Sequence, residues 1–204
     1  MRLEPIISCI FFLLLPLTNS CAGVAMTIQN APAYIEGTAA GDIDIYLFNG
    51  HSITSVKISA GKFRTSHTAT KGLYEVVFFT KRNFYPKAVT LKAPERPQDI
   101  KIGPLKKMKN RRRGILTGVV YKPVSGGKVS EHTGISTVYK GEKVHIAGNG
   151  VSCSAITDES GVFTIELPEG EYDIILGAGK AGKATIEKGK TTIENVQKGM
   201  VLVD

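Results

Sequence analysis

The stretch Gly177-Ala178-Gly179-Lys180-Ala181-Gly182-Lys183 has the glycine spacing of a dinucleotide fingerprint and, with its last lysine, of a phosphate-binding loop. Both motifs work by aiming the free backbone N–H groups of a following helix at phosphate oxygens. Here the stretch runs into Thr185-Ile186-Glu187-Lys188-Gly189-Lys190, a β-branched pair and a turn signal where a helix is needed. Ala184 stands where a magnesium-binding hydroxyl would be required. The sequence thus argues against nucleotide binding and predicts a Gly-rich connection between strands.

The remaining reactive side chains are sparse. His51, His67, His132 and His145 show no metal-ligand spacing, so surface positions and no metal are expected. Of the cysteines, Cys9 and Cys21 lie in or beside an N-terminal apolar run, which leaves Cys153 as the lone thiol of the folded part. Between Val151 and Ala155 it reads as a small buried hydrophobe, with no intrachain disulfide framework. No Gly-x-Ser-x-Gly elbow is present. The expectation is a non-enzyme without a cofactor.

Cations and aromatics carry more. The net charge is +8, but residues 26–104 hold +4, residues 114–204 hold −2, and the short stretch 105–113 alone holds +6. That stretch contains Lys106, Lys107, Lys109, Arg111, Arg112 and Arg113 and is expected to be a solvated, self-repelling linker. Contact with an acidic partner or an anionic surface, and cleavage by a protease, are the alternatives. A second feature is Phe79-Thr80-Lys81-Arg82-Asn83-Phe84-Tyr85-Pro86, expected to be a loop. Tyr46 and Phe48 fall off the inward phase of their strand and would extend it into an apolar-basic patch. Aromatic and Arg surfaces are favoured at interfaces. Phe79, Arg82, Phe84, Tyr85, Arg111, Arg112 and Arg113 are therefore the candidate partner-binding residues. The partner implied is another envelope or surface protein, or an anionic surface, with a glycan or a second copy of the chain as alternatives. Nucleic acid is not expected, because no aromatics interleave with the charge run. The chain has no Trp, which weighs against a sugar platform.

The elements that must position these residues are strands. Phe163, Ile165 and Leu167 alternate with Thr164 and Glu166, the period of a half-buried strand. Thr157-Asp158-Glu159-Ser160-Gly161 before it and Pro168-Glu169-Gly170 after it supply turn chemistry, and Tyr172, Ile174 and Leu176 open the next strand. A fainter copy lies upstream. Gly61-Lys62-Phe63 parallels Gly161-Val162-Phe163, and Gly72-Leu73-Tyr74 parallels Gly170-Glu171-Tyr172, with Val76 and Phe78 expected to face inward. Ile43-Asp44-Ile45-Tyr46-Leu47 and Val144-His145-Ile146 are further alternating strands. A period of about a hundred residues is one domain length, so the pattern predicts a tandem duplication. The stretch from Lys122 to Lys143 is longer than a turn requires, and Ile135–Tyr139 could add an edge strand to it.

Gly118-Val119-Val120, then Thr157-Asp158-x-x-Gly161-x-Phe163, then Pro168-x-Gly170-x-Tyr172 resembles the carboxypeptidase regulatory-like domain, a small sandwich of the transthyretin type. In the first half Ser59-Ala60 replaces Thr-Asp, and no Pro precedes Gly72. The resemblance implies an all-β chain of two tandem small Greek-key β-sandwich domains and no single function, since such modules serve as appendages and as adhesive or binding units. The expected organisation is a signal peptide over 1–25, a degenerate sandwich over 26–104, the basic linker over 105–113 and a second sandwich over 114–204. The apolar run Ile6–Leu17 is too short to span a bilayer but suits a secretory leader. Cys21 would be removed with it or, alternatively, lipidated. The expected location is periplasmic or extracellular, in a bacterium. The expected function is an exported non-catalytic binding, adhesive or assembly module. A carbohydrate-binding module and a structural subunit associating through sheet edges are the alternatives.

Overall fold

The computed structural model describes residues 30–92, 98–126, 134–199 and 201–203. The leader, Cys9, Cys21 and His132 lie outside them. Every regular element described is a strand. The first unit contains β1 (Asn30–Ala39), β2 (Ile43–Phe48), β3 (Ile53–Ile58), β4 (Gly61–Thr70), β5 (Tyr74–Thr80), β6 (Lys87–Lys92) and β7 (Gln98–Ile102). The second contains β8 (Arg113–Gly126), β9 (Ile135–Val138), β10 (Lys143–Gly148), β11 (Val151–Ile156), β12 (Val162–Pro168), β13 (Gly170–Leu176), β14 (Gly179–Ile186), β15 (Thr191–Ile193), β16 (Val196–Gln197) and β17 (Val201–Val203).

The two units are wired alike. In the first, β4 and β7 flank β1, with β7 parallel to it, and β3, β2, β5 and β6 form the facing sheet. In the second, β12 and β15 pair with β8, with β15 parallel, and β11, β10, β13 and β14 follow the same order. Each unit is a β-sandwich with its own core. Ile35, Ile45, Phe63, Val77 and Phe79 fill the first, and Leu116, Val144, Ile146, Phe163, Tyr172 and Ile174 fill the second.

One close approach recurs in both. Gly37 lies opposite Phe63, and Gly118 lies opposite Phe163. A Cβ on Gly37 would come within 1.9 Å of the Ile100 carbonyl oxygen, and one on Gly118 within 1.7 Å of that of Glu194. Each glycine lets a parallel neighbour approach while the phenylalanine ring covers the bare backbone. The equivalent of Gly118 in the first unit is therefore Gly37, about 20 residues nearer its phenylalanine because β9 and its flanks have no counterpart there.

The turn before β12 is held by its own side chain. The Asp158 carboxylate accepts from the Ser160 and Val162 amides at 2.9 and 3.0 Å, and Gly161 takes φ 73°. At the far end Tyr172 donates its hydroxyl to the Pro168 carbonyl at 3.1 Å. The glycine-rich stretch forms the hairpin between β13 and β14, with Lys180 bonded to Asp173 at 2.6 Å. No helix follows it among the described residues.

The units are fused. β9 pairs with β8 and, at Ile135 and Tyr74, with β5, so that one ten-stranded sheet runs through both units. The strand expected over Ile135–Tyr139 exists, but it lies inside a sheet and not at an edge. Behind the join, Phe48, Val76 and Phe78 of the first unit pack on Val119, Tyr121, Ile135 and Val162 of the second. The Phe48 and Tyr121 rings meet edge to face at 4.9 Å.

This third core corrects the expected phase of β5. Val76 and Phe78 face the join, while Val77 and Phe79 face the core of the first sandwich. With both faces buried the strand loses its alternation, and the inward side cannot be told from the pattern.

Candidate functional site

The expected patch of aromatics is partly consumed by this packing. Phe79 is not in a loop: it belongs to β5 and is fully buried, so it offers no surface to a partner. Phe48 is buried in the shared core, and Tyr46 packs at its margin. Arg82 is exposed at the start of the loop, and Phe84 and Tyr85 are half-buried.

The loop has a specific job in the fold. Asn83 adopts φ 64°, a left-handed conformation that Asn tolerates better than most residues. Its amide donates to the Gly189 carbonyl of the second unit at 2.7 Å, and its carbonyl accepts from the Met108 amide at 2.9 Å. The Tyr85 amide donates to the Lys106 carbonyl at 2.7 Å, and Phe84 forms an antiparallel bridge with Lys107. The Tyr85 hydroxyl donates to Glu166 on β12 at 2.5 Å. That hydrogen bond to a carboxylate, with burial adding, raises the phenol above its ordinary pKa.

The basic connection is therefore not a free tether. Met108 is buried, and its backbone and that of Lys106 and Lys107 are tied to the Asn83–Tyr85 loop. The Lys106 ammonium sits 5.8 Å from the Tyr85 ring centroid, and that of Lys81 sits 5.4 Å from the Phe84 ring. Arg113 is already the first residue of β8, opposite Pro168. Charge repulsion favours an extended solvated run only where nothing captures it, and here one buried methionine and a ladder of backbone bonds do so.

Of the cations at the joint, Arg82, Lys106, Lys107, Lys109, Arg111 and Arg112 are exposed and Arg113 is half-buried. Beside the joint, a cleft of about 220 Å³ between the units is lined by Asp44, Tyr46, Lys81, Arg82, Lys190 and Thr191. The electrostatics differ from those of the second sandwich. There Lys140, Lys180, Lys188 and Lys190 pair with Glu159, Asp173, Glu169 and Glu187 at 2.5–3.1 Å, and Lys198 pairs with Glu142. Among the described residues, the cations of 106–113 and Arg82 have no such carboxylate partner.

Two titratable side chains depart from expectation. His67 is not a surface residue: its side chain is 11% exposed and its Nε2 lies 2.7 Å from Glu75 Oε2. His51 and His145 are exposed, as expected. Cys153 is half-buried against the second core, and burial pushes its thiol up, with Arg113 pulling the other way. Among the described residues no group of three His, Cys, Asp or Glu side chains is arranged to hold a metal ion.

Asn83, Met108 and Glu166 organise the joint and were not singled out in the sequence. The signal available was Asn83 itself, a turn-former between two aromatic clusters.

No family model matches the chain, and no curated protein matches it. Among solved structures, the Bacillus anthracis TIE protein is similar over 82% of this chain and 34% of its own, at 14% identity and a TM-score of 0.32. The chain thus spans about a third of that protein's length. The minor pilin GBS52 of Streptococcus agalactiae is similar over 82% of this chain and 95% of its own, at 13% identity and a TM-score of 0.30. A Ca²⁺-stabilized, ice-binding adhesin of an Antarctic bacterium is similar over 81% and 49%, at 10% identity and a TM-score of 0.20.

Proposed function

We propose that the chain is an exported, non-catalytic binding module that docks on anionic envelope or cell-surface material through the joint between its two sandwiches. The observation that carries this reading is the set of cations at 106–113, exposed except for the half-buried Arg113 and without carboxylate partners among the described residues, with Lys106 and Lys107 anchored on the Asn83–Tyr85 loop, and Arg112 and Arg113 bonded to Asn110 at the start of β8. A cation fixed by the fold loses less freedom on binding than one on a loose tether. The proposal includes kinship with the carboxypeptidase regulatory-like domains, supported by the Asp158–Gly161 turn, Tyr172 and the Gly–Phe pair repeated in both units. It also includes a leader over 1–25 and a periplasmic or extracellular location.

Retention on vesicles containing anionic lipid, compared with zwitterionic vesicles, tests the docking. Each Lys or Arg near such a surface contributes about 1 kcal/mol, so Arg111→Gln, Arg112→Gln and Arg113→Gln together should weaken binding about 100-fold. The control is Lys140→Gln, Lys180→Gln and Lys188→Gln, which removes the same charge from paired positions on the second sandwich. If both triple variants lose retention equally, net charge alone is responsible and the joint is not a site.

A further inference from the structure

The strand edges offer surface that the basic joint does not use. An exposed edge presents unpaired N–H and C=O groups, and proteins normally blunt it with charge, proline or a bulge. Such protection is present on most edges described. Lys57 lies on β3, Lys62 and Arg64 on β4, Lys87 and Lys92 on β6, Glu166 and Pro168 on β12, and Lys180 and Lys183 on β14. The β13–β14 pair also carries a register shift.

β11 differs. Val151-Ser152-Cys153-Ser154-Ala155-Ile156 has no charge, no proline and an unbroken register against β10, and it ends its sheet. Ile156 at its end is 68% exposed, more than any other large hydrophobic described.

The backbone of β11 is arranged for self-pairing. Thr157 donates its amide to the Glu142 carbonyl at 2.9 Å and accepts from the Gly141 amide at 3.0 Å, so its polar groups face the neighbouring strand β10 and the residues leading into it. Antiparallel pairing alternates, so Ala155, Cys153 and Val151 also face β10, while Ser152, Ser154 and Ile156 aim their N–H and C=O groups outward. These outward groups are symmetric about Ser154. Their side chains are exposed, whereas those of Val151, Cys153 and Ala155 lie on the core side.

We propose that β11 pairs antiparallel with β11 of a second copy, about a two-fold axis at Ser154. Ser154 then exchanges backbone bonds with Ser154 of the other copy, and Ser152 with Ile156, so every outward group of the strand is satisfied. Opposed side chains stay on matching faces, and the two four-stranded sheets join into one. A second copy suits this edge because the strand carries no charge to repel itself and its outward pattern is its own complement. The chain already joins sheets through edge strands where β9 meets β5. The interface is isologous and closes at a dimer.

Light scattering and sedimentation of the purified chain, from about 1 to 100 μM, test it in the affinity range of a modest interface. The wild-type chain is expected to be a dimer at the upper end. Ser154→Lys and Ser154→Asp each put like charges opposite one another on the axis and should raise the dissociation constant at least about tenfold. Mixing these two variants should restore a heterodimer, and this also shows that both are folded. Thr54→Lys on β3 should leave the dimer intact. A wild-type monomer throughout, a dimer that survives Ser154→Lys, or a mixture that stays monomeric overturns the proposal. Vesicle retention by a monomeric Ser154 variant reads the basic joint separately.

Discussion

His67 and Glu75 meet between the two sheets of the first sandwich, and replacing them in turn measures what a buried polar pair does there. The side chains are 11% and 3% exposed, and they approach to 2.7 Å. His67 Nδ1 is buried without a partner. His67→Leu strands the Glu75 carboxylate, and breaking a buried pair from one side costs about 3–5 kcal/mol. Two terms offset this. The orphaned Nδ1 already costs the wild-type chain about 1–3 kcal/mol, and the new leucine returns up to about 2 kcal/mol of apolar burial. The net loss expected is about 1–3 kcal/mol. Adding Glu75→Leu removes the stranded charge, and the double variant should recover to wild-type stability or exceed it, since apolar replacement of a buried pair is often neutral or better. Urea unfolding of the wild type, both single variants and the double variant at neutral pH gives the coupling directly. If the losses of the single variants simply add, the pair is not energetically coupled and the reasoning fails.

Gly118→Ala and Gly37→Ala should each destabilise by at least about 1–3 kcal/mol, because a backbone carbonyl occupies the Cβ position. Thermal melts check this, and an unchanged Tm for either would refute the close approach. Asp158→Ala removes two amide partners from the turn before β12 and should cost about 1–2 kcal/mol, whereas Asp158→Asn should retain most of it. Burial raises the Glu194 carboxyl above its ordinary pKa. A group raised in the folded state favours folding below its unfolded pKa, and that contribution is lost as pH rises through the folded value. Glu194→Gln should therefore flatten the stability profile on the alkaline side of the ordinary carboxylate range, and an unaltered profile would exclude this group.

The second sandwich was legible because its signals are local. Asp158 bonds amides two and four residues on, and Tyr172 reaches back four residues, all within one window of sequence. The first sandwich was harder to phase for a physical reason. Its β5 is buried on both sides, so Val76, Val77, Phe78 and Phe79 present no alternation. The fusion of the units depends on contacts between distant residues, such as Phe48 on Tyr121 and Tyr85 on Glu166, and no local pattern encodes them. Tyr46 and Phe48 did signal a second apolar face. What could not be seen was that the second unit covers it. His67 was within reach: it shares the phase of Phe63 and Ala69 on β4, and that phase is inward.

The basic run shows how fold and charge divide the work. Six cations in nine residues suggest a tether, yet Met108 in their midst is 4% exposed and its amide is bonded to Asn83. Met108→Ala separates presentation from charge, because it removes the anchor and no cation. Truncating a buried methionine costs about 2–5 kcal/mol, enough to release the local backbone bonds before the whole chain unfolds. The freed segment must then be ordered on binding, at about 1–2 kcal/mol for each residue fixed. If geometry matters, vesicle retention should fall several-fold with the net charge unchanged, and amide exchange at Tyr85 and Met108 should quicken in the free protein. Faster exchange with undiminished retention would mean that the charges act as a cloud, and the docking of the run on the Asn83–Tyr85 loop would then serve only to hold the two sandwiches together.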